Sequence, residues 1–550
     1  MASSLLESVS PALAALLSNV HPAVLAAVVF IGLPVVAIAL NVAQQFLPKD
    51  PNLPPVVFHW LPYVGSAISY GDDPLKFFFT NREKYGDVFT FVLLGRRMTA
   101  ALGPKGNNFI LGGKLTHVSA EEAYTHLTTP VFGKEVVYDV PNPVFMEQKR
   151  FVKCGLTIEN FREYVGFIED EVEEMLAKNE SFVTYRSGDT TRWGSFHALR
   201  TLAELTICTA SRTLQGREVR ASLSGREFAE MYSDLDGGFT PINLMFPSLP
   251  LPSYRRRDRA QQAMSDFYVN ILNKREAGDN DHDHDMLAAL AEQRYKNGRK
   301  LSKREIAHIM IALLMAGQHT SSATSSWALL HLASRPDVVQ AVYDEQVKHF
   351  SNGDGSFRAL TYEELRELPI LDSVIRETLR MHPPIHSILR KVVQDMPVPA
   401  SLSSGSSNTA QSRAYVVPQG HFVLASPAVS QMDPRIWKDA SVWDPYRWSD
   451  PEGVAAEAAL AYEDLSGEKI DYGFGVVSKG TESPYQPFGA GRHRCIGEQF
   501  AYLQLGTILA LLIRNMEFKI DRVPDHNYHT MITLPKEPCS IQYRRRAKAT

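Results

Sequence analysis

The sequence predicts a mainly α-helical body with a minor β region, carried behind an N-terminal transmembrane helix. Three observations predict it. Apolar residues recur at helical spacing through most of the chain, strand-like runs are short and few, and one uncharged apolar stretch stands near the N-terminus. Of 550 residues, 44% are hydrophobic, 21% charged and 10% aromatic, which excludes a disordered, collagen-like or multi-span chain. Lys plus Arg number 57 and Asp plus Glu 61, a formal net charge of −4, so no global basic field draws nucleic acid. Cys154, Cys208, Cys495 and Cys539 are scattered and form no C-x-x-C pair. So few in so long a chain make no disulfide scaffold, and a reducing compartment is expected.

Ala23 to Leu40 reads AVLAAVVFIGLPVVAIAL, 18 residues without charge. At ~1.5 Å per residue it reaches roughly 27 Å, near the ~30 Å hydrocarbon core of a bilayer. Gly32 and Pro34 inside it suit a bilayer helix better than a soluble one. A cleaved signal peptide would carry a basic leader, and the only charge before Lys49 is Glu7. Ala12 to Leu17 reads as a short interfacial helix before the span. Lys49, Lys76, Arg82 and Lys84 follow the span, which places the body on the cytosolic side. Pro48, Pro51, Pro54 and Pro55 then impose a semi-rigid extended hinge. The expected division is 1–47 anchor, 48–62 hinge and 63–550 catalytic body.

In the body, helical periodicity covers Phe161 to Ala177, Gly225 to Leu235, Ser253 to Asn273, Ser302 to Ala333, Val338 to Phe350 and Ser373 to Arg380. Strand-like pieces are Val88 to Leu94, Ala414 to Val417 and Phe422 to Ala425. No internal repeat occurs. Gly278 to Asp285, Ser401 to Arg413 and the acidic, Ala-rich Gly453 to Ile470 read as surface insertions. His282 and His284 in the first suit a solvated loop better than a metal site.

Chemistry concentrates near the C-terminus, in Pro487-Phe488-Gly489-Ala490-Gly491-Arg492-His493-Arg494-Cys495-Ile496-Gly497-Glu498. The glycines allow tight turns and close backbone approach to a flat ligand. A helical pattern follows through Phe500, Leu503, Leu505 and Leu509, so Cys495 is expected at a helix N-terminus beside two cations, which favours thiolate. Such a thiolate is a metal ligand or a nucleophile; an inert buried cysteine is the plain alternative. Two further features stand upstream. Glu377 and Arg380 are three apart and share a helix face. Ala316 and Thr320 are four apart on the longest helix, where the Thr320 hydroxyl can bond the carbonyl four residues back and open the helix locally.

This loop resembles the haem-binding signature of the cytochrome P-450 superfamily, through Phe488, Gly491, His493, Cys495 and Gly497, with His493 in place of the usual arginine. The resemblance implies a P-450 fold, a triangular helical prism holding haem b between the long central helix and the Cys-loop helix. It implies Cys495 as the proximal iron ligand, Phe488 shielding its sulfur, and Ile496 lining the cofactor. Trp443 to Trp448 resembles the family's P-E-R-F segment, which implies a structural cluster of Glu377, Arg380 and Arg447. Ala316 to Ser321 resembles the oxygen-binding segment, with Thr320 assisting proton delivery and His319 where most relatives carry an acid.

Gly317-Gln318-His319-Thr320-Ser321, the segment Tyr124 to Tyr138, Met231 to Pro252 and His382-Pro383-Pro384-Ile385-His386-Ser387 resemble the fungal form of the sterol 14α-demethylase branch. That implies Tyr124, Tyr138, Lys149, Arg390 and His493 as partners of the haem carboxylates, Lys149 taking the role of a cation whose usual Trp-x-x-x-Arg setting is absent. It implies a pocket for an apolar tetracycle lined by Leu127, Thr128, Phe132, Val137, Phe239, Phe246, Ala316, Gly317, Ile388, Leu389 and Met531. The implied activity is three successive oxidations of the 14α-methyl of lanosterol or eburicol, using O₂ and NADPH electrons from a separate reductase, at the endoplasmic reticulum membrane. Azole inhibitors would bind at the haem iron. The alternatives are another membrane-bound P-450 monooxygenase of an apolar substrate, and a non-enzymatic sterol- or haem-binding membrane protein.

Overall fold

The helix predicted over Ser302 to Ala333 runs Lys303–Ser334 and forms the axis of the molecule. Its start is fixed by a capping box: the Ser302 hydroxyl accepts from the Glu305 N–H, and the Glu305 carboxylate accepts from the Ser302 N–H. Most of its length is buried, which its near-uniform apolar and small-residue composition requires. Helices Ala198–Ala210, Pro252–Glu276 and Glu498–Asn515 pack along it, and Ile158–Lys178 packs on the last of these. Trp327, Leu329, Phe161, Ile508 and Leu509 belong to the resulting core. The computed structural model describes residues 21, 28–223, 225–278, 285–403, 414–463, 469–471, 476–478 and 480–547.

The predicted helices appear as Ile158–Lys178, Arg226–Asp236, Pro252–Glu276, Pro336–Phe350 and Pro369–Met381, each close to its sequence bounds. The minor β region is a five-stranded sheet in the order Val88–Leu93, Arg96–Ala101, Phe422–Ala425, Ile388–Val392 and Val118–Ser119. Only the Arg96 and Phe422 strands pair in parallel within it. A three-stranded sheet joins Met516–Lys519, Ser540–Arg545 and Gly194–His197.

The N-terminal apolar stretch is described only in part. No helix among the described residues is long and apolar enough to cross a membrane. The described part of the apolar stretch is a short π-helical segment, Val28–Gly32, running into a helix, Leu33–Phe46, that buries no residue. Pro34 stands in the first turn of that helix, where a missing N–H costs least. Residues 12–17 and 23–27 lie outside the described residues. The proline-rich hinge is extended but docked: the Val57 N–H donates to Thr90 (2.8 Å), and the Asn41 amide donates to the carbonyls of His59 and Trp60 (2.9 and 3.0 Å).

Gly453 to Ile470 is more than a surface insertion. Val454–Glu463 is a helix that buries Ala455, Ala458 and Tyr462, which stand three, then four residues apart on one face. His282, His284 and residues 404–413 lie outside the described residues.

Candidate functional site

The Cys495 loop is built by turns that only its residues permit. Gly491 has φ +67°, and a Cβ there would stand 2.4 Å from the Leu111 carbonyl oxygen. The Cys495 N–H donates to the Phe488 carbonyl (2.9 Å), closing the loop before Gly497 opens the helix Glu498–Asn515. Phe488 packs on Tyr502, with ring centroids 5.6 Å apart, and Ile496 is half-buried against the same core. Tyr462, from the unforeseen helix, donates its hydroxyl to the Gly489 carbonyl at 2.8 Å.

Lys149 is buried and donates to the carbonyls of Arg492 (3.1 Å) and Arg494 (2.9 Å), so its ammonium braces the loop directly. Burial brings it down to about 8. Arg494 is clamped by Glu498 through two bonds of 2.9 and 3.0 Å and lies over the Tyr462 ring. Its charge is therefore largely matched before it reaches the sulfur. The Cys495 side chain is accessible, but only within the mass of the protein. Burial raises the thiol, outweighing the Gly497 N–H and the nearby cations, so in the polypeptide alone the expected bias toward thiolate is reversed. A metal ion bound there would favour the thiolate by direct coordination.

Tyr124, Tyr138, Arg390 and His493 converge beside this loop. Tyr124 and Tyr138 stack with centroids 5.3 Å apart, and Tyr138 lies 6.0 Å from the His493 ring. The Leu389 N–H donates to the Tyr124 hydroxyl (2.8 Å), which leaves the phenol proton to be donated onward. Burial pushes Tyr138 up to about 12, with Arg390 opposing. His493 is held well below the usual histidine range by burial and by Arg390, Lys149 and Arg492. Its Nδ1 is buried without a hydrogen-bond partner. An orphaned ring nitrogen among cations and phenol donors fits carboxylates, and an accessible cysteine sulfur fits iron, so the residues present fit haem.

The long helix supplies the next wall. Ala316 is exposed although its helix is mostly buried, and the Thr320 hydroxyl donates to the Ala316 carbonyl at 2.8 Å. The helix nevertheless continues unbroken through this point. His319 Nε2 lies 2.8 Å from Asp236 Oδ1 and 3.3 Å from the Tyr232 hydroxyl, both on the helix Arg226–Asp236. Gly317 does not open toward the pocket: the position of its missing Cβ faces Ala210 and Leu214, each at 3.7 Å. It serves the close packing of two helices.

The remaining pocket candidates fall on several elements. Leu127 and Thr128 are buried on the helix Glu121–Phe132. Phe132 stacks on Phe239 at 5.9 Å. Val137 lies in a short turn with φ +54°, and Phe246 ends the helix Pro241–Met245. Ile388 and Leu389 lie on a central strand, and Met531 lies between the strands His526–Asn527 and Leu534–Pro535.

Glu377, Arg380 and Arg447 come together as the sequence implied. The Arg380 guanidinium donates twice to the Glu377 carboxylate at 2.9 Å, both groups being fully buried, and Arg447 Nε donates at 3.0 Å. Trp448 Nε1 and the Asp444 N–H complete the carboxylate at 3.0 Å each. Sequence reasoning gave no role to Asp236, Tyr232, Tyr462 or Trp448. Of these, only Tyr462 left a sequence signal, its helical spacing from Ala455 and Ala458.

The sequence model of the cytochrome P450 family matches residues 54–543. Lanosterol 14-alpha demethylase of Mycosarcoma maydis is 56% identical over 95% of this chain and 93% of its own. Eburicol 14-alpha-demethylase of Uncinula necator is 47% identical over 93% of this chain and 94% of its own. The solved structure of retinoic acid-bound cyanobacterial CYP120A1 superposes with a TM-score of 0.71, covering 90% of this chain and all of that one, at 19% identity, and so bears on the fold alone. With the signature loop, the buried Glu–Arg–Arg cluster and these likenesses together, the chain belongs to the cytochrome P450 family, among its fungal sterol 14α-demethylases.

Proposed function

We propose that this protein is a haem-thiolate monooxygenase that removes the 14α-methyl of lanosterol or eburicol in ergosterol biosynthesis. The observation that carries this reading is the convergence of Tyr124, Tyr138, Arg390 and the orphaned His493 Nδ1 beside the Cys495 loop. The identity to fungal sterol demethylases supports the choice of substrate. When bound, haem with a cysteine thiolate supplies the electron-rich iron needed for oxygen chemistry.

The chain's own residues do the rest. Arg390, Tyr124, Tyr138 and His493 would hold the cofactor carboxylates, while Lys149 fixes the loop through its carbonyls. Thr320 spends its proton on the Ala316 carbonyl, so its oxygen is free to accept from a water. His319 and the half-exposed Asp236 link that segment to solvent and can pass a proton inward. Phe132 and Phe239 offer a flat apolar wall to a tetracycle. O₂ and NADPH are co-substrates, the electrons arriving through a separate reductase, and azoles acting at the haem iron are expected inhibitors.

The full chain with reductase and NADPH should convert lanosterol or eburicol to formate and the Δ14 sterol. Cys495→Ala should abolish this together with the carbon monoxide spectrum of thiolate-ligated haem, whereas replacing Cys154, Cys208 or Cys539 should not. Absence of formate, with oxidation of another apolar compound, would favour the broader monooxygenase reading.

The membrane reading places the body on the cytosolic face of the endoplasmic reticulum, with residues 1–47 as a single-pass anchor. Phe30, Ile31, Leu33, Val35, Val36 and Leu40 are all exposed, in support. Removing residues 1–47 should release the body from membranes washed in high salt. Retention of the truncate would point to a second apolar attachment.

A further inference from the structure

A cleft of ≈ 520 Å³ lies where the turn between the first two strands meets the strand Ile388–Val392. Its lining includes Arg96, Arg97, Lys391, His126 and His421, with Glu122 as the single carboxylate. Strand alternation divides two neighbours: Arg390 is buried toward the haem site, and Lys391 turns to the cleft. Two cations share one aromatic ring: the Lys391 ammonium stands 4.4 Å and the Arg96 guanidinium 5.5 Å from the Phe422 centroid. Among the described residues, neither these two nor Arg97 forms an ion pair. Burial holds Lys391 below the usual lysine range, with Glu122 opposing and Arg96 adding to the shift. His421 Nδ1 is buried with no hydrogen-bond partner. No step of the proposed oxidation uses these groups.

The rim of the cleft is apolar and exposed. Gly95 lies against the ring of Tyr63, which is 56% exposed, and the adjoining Trp60 is 65% exposed. On another side, Arg96 donates to the Leu244 and Met245 carbonyls (3.2 and 3.3 Å), and His126 donates to Leu244 at 2.9 Å. These bonds hold the C-terminal end of the helix Pro241–Met245, whose Ile242 is 55% exposed. Among the described residues, Arg96 and Lys391 donate only to backbone carbonyls, Lys391 to that of Gly420. Cations without carboxylate partners, flanked by exposed aromatic and aliphatic side chains, match the layered chemistry of a bilayer surface, with phosphate above and acyl chains below.

We propose that this cleft binds the phosphate of an anionic phospholipid headgroup while Tyr63, Trp60 and Ile242 enter the acyl layer. The proposal rests on the membrane reading above and adds to it a specific headgroup site. Arg97 and Lys391 supply the charge, and Arg96 ties the site to the Pro241–Met245 helix.

The test uses the haem-loaded full chain in nonionic detergent micelles. It compares the dissociation constant of a fluorescent phosphatidylserine with that of the matching phosphatidylcholine. Wild type should prefer phosphatidylserine. Arg97→Gln and Lys391→Gln should each cut that preference roughly fivefold, leaving phosphatidylcholine binding and the carbon monoxide spectrum unchanged. Glu122→Gln, which removes the opposing charge at an exposed position, should raise it by a similar factor. Preference unmoved by all three variants overturns the site, even if the chain is a membrane protein. Displacement by soluble glycerol phosphate at the lipid's own concentration assigns the cleft to a soluble phosphate and overturns the lipid assignment. The salt-wash experiment on residues 1–47 reports on the anchor separately, so failure of either reading is seen by itself.

Discussion

Asp236 Oδ1 lies 2.8 Å from His319 Nε2, joining the helix Arg226–Asp236 to the middle of the long central helix. The family's usual acid is missing from the position of His319, and this contact brings a carboxylate back from another element. Thr320 follows His319 directly, its hydroxyl committed to the Ala316 carbonyl.

Removing either group should separate electron consumption from product formation. Thr320→Ala is expected to lower sterol product per NADPH and to release hydrogen peroxide, within the roughly 10²–10⁴-fold range of a lost acid–base group. Asp236→Asn should show a smaller loss of the same kind, because the amide still accepts from His319. His319→Ala should follow Thr320→Ala if it relays protons, and should mainly weaken sterol binding if it is a wall. Coupling and sterol dissociation constants measured on all three decide this; full coupling in every variant removes the proton role.

The Glu377 carboxylate is fully buried and receives Arg380, Arg447, Trp448 and a backbone N–H. Glu377→Gln leaves Arg380 buried without its counter-charge. Such a break costs about 3–5 kcal/mol, so haem retention and thermal unfolding should both suffer sharply. Arg447, which is less buried, should cost less when changed to Lys.

A chain of histidines crosses the core: His331 Nε2 is 2.7 Å from His382 Nε2, and His382 Nδ1 is 2.7 Å from His526 Nε2. Burial, aided by His526, pushes His331 down to about 3, and His382 lies well below its ordinary value from burial and the same neighbour. Their folded pKa values lie below the unfolded ones, so the unfolded chain takes up protons first as pH falls. Stability is full above pH ~6.5 and declines below it, by about 2 kcal/mol per neutral histidine at pH ~5. His331→Gln should flatten urea-unfolding stability between pH ~6.5 and ~4; an unchanged slope would show that His331 is not held neutral.

Two glycines should answer oppositely to alanine. At Gly491 a Cβ meets backbone 2.4 Å away at a positive φ, so Gly491→Ala should distort the loop and lower haem loading. At Gly317 the Cβ meets ordinary contacts at 3.7 Å within a helix, so Gly317→Ala should stabilise by roughly 0.5–1 kcal/mol and leave sterol affinity intact. A large loss of sterol affinity in Gly317→Ala would return that residue to the pocket wall.

Much of the architecture was legible because it is local. Helical periodicity gave Pro252–Glu276 and Lys303–Ser334 to within a few residues, since an amphipathic or buried face repeats in the sequence itself. The Cys495 loop was legible because its chemistry is packed into consecutive residues. The buried face of Val454–Glu463 was not legible because acidic and alanine composition masked its three core residues.

The sequence by itself determined which residues to single out, Cys495, Thr320, Glu377 and Arg380, because each sits in a short segment that resembles a motif of the family. The tertiary structure decided their partners. Asp236 reaches His319, Lys149 turns to the loop carbonyls, and Gly317 faces Ala210 rather than the pocket. Those contacts depend on how separate helices rotate and cross when their apolar faces are buried together, and no spacing along one chain segment encodes that rotation.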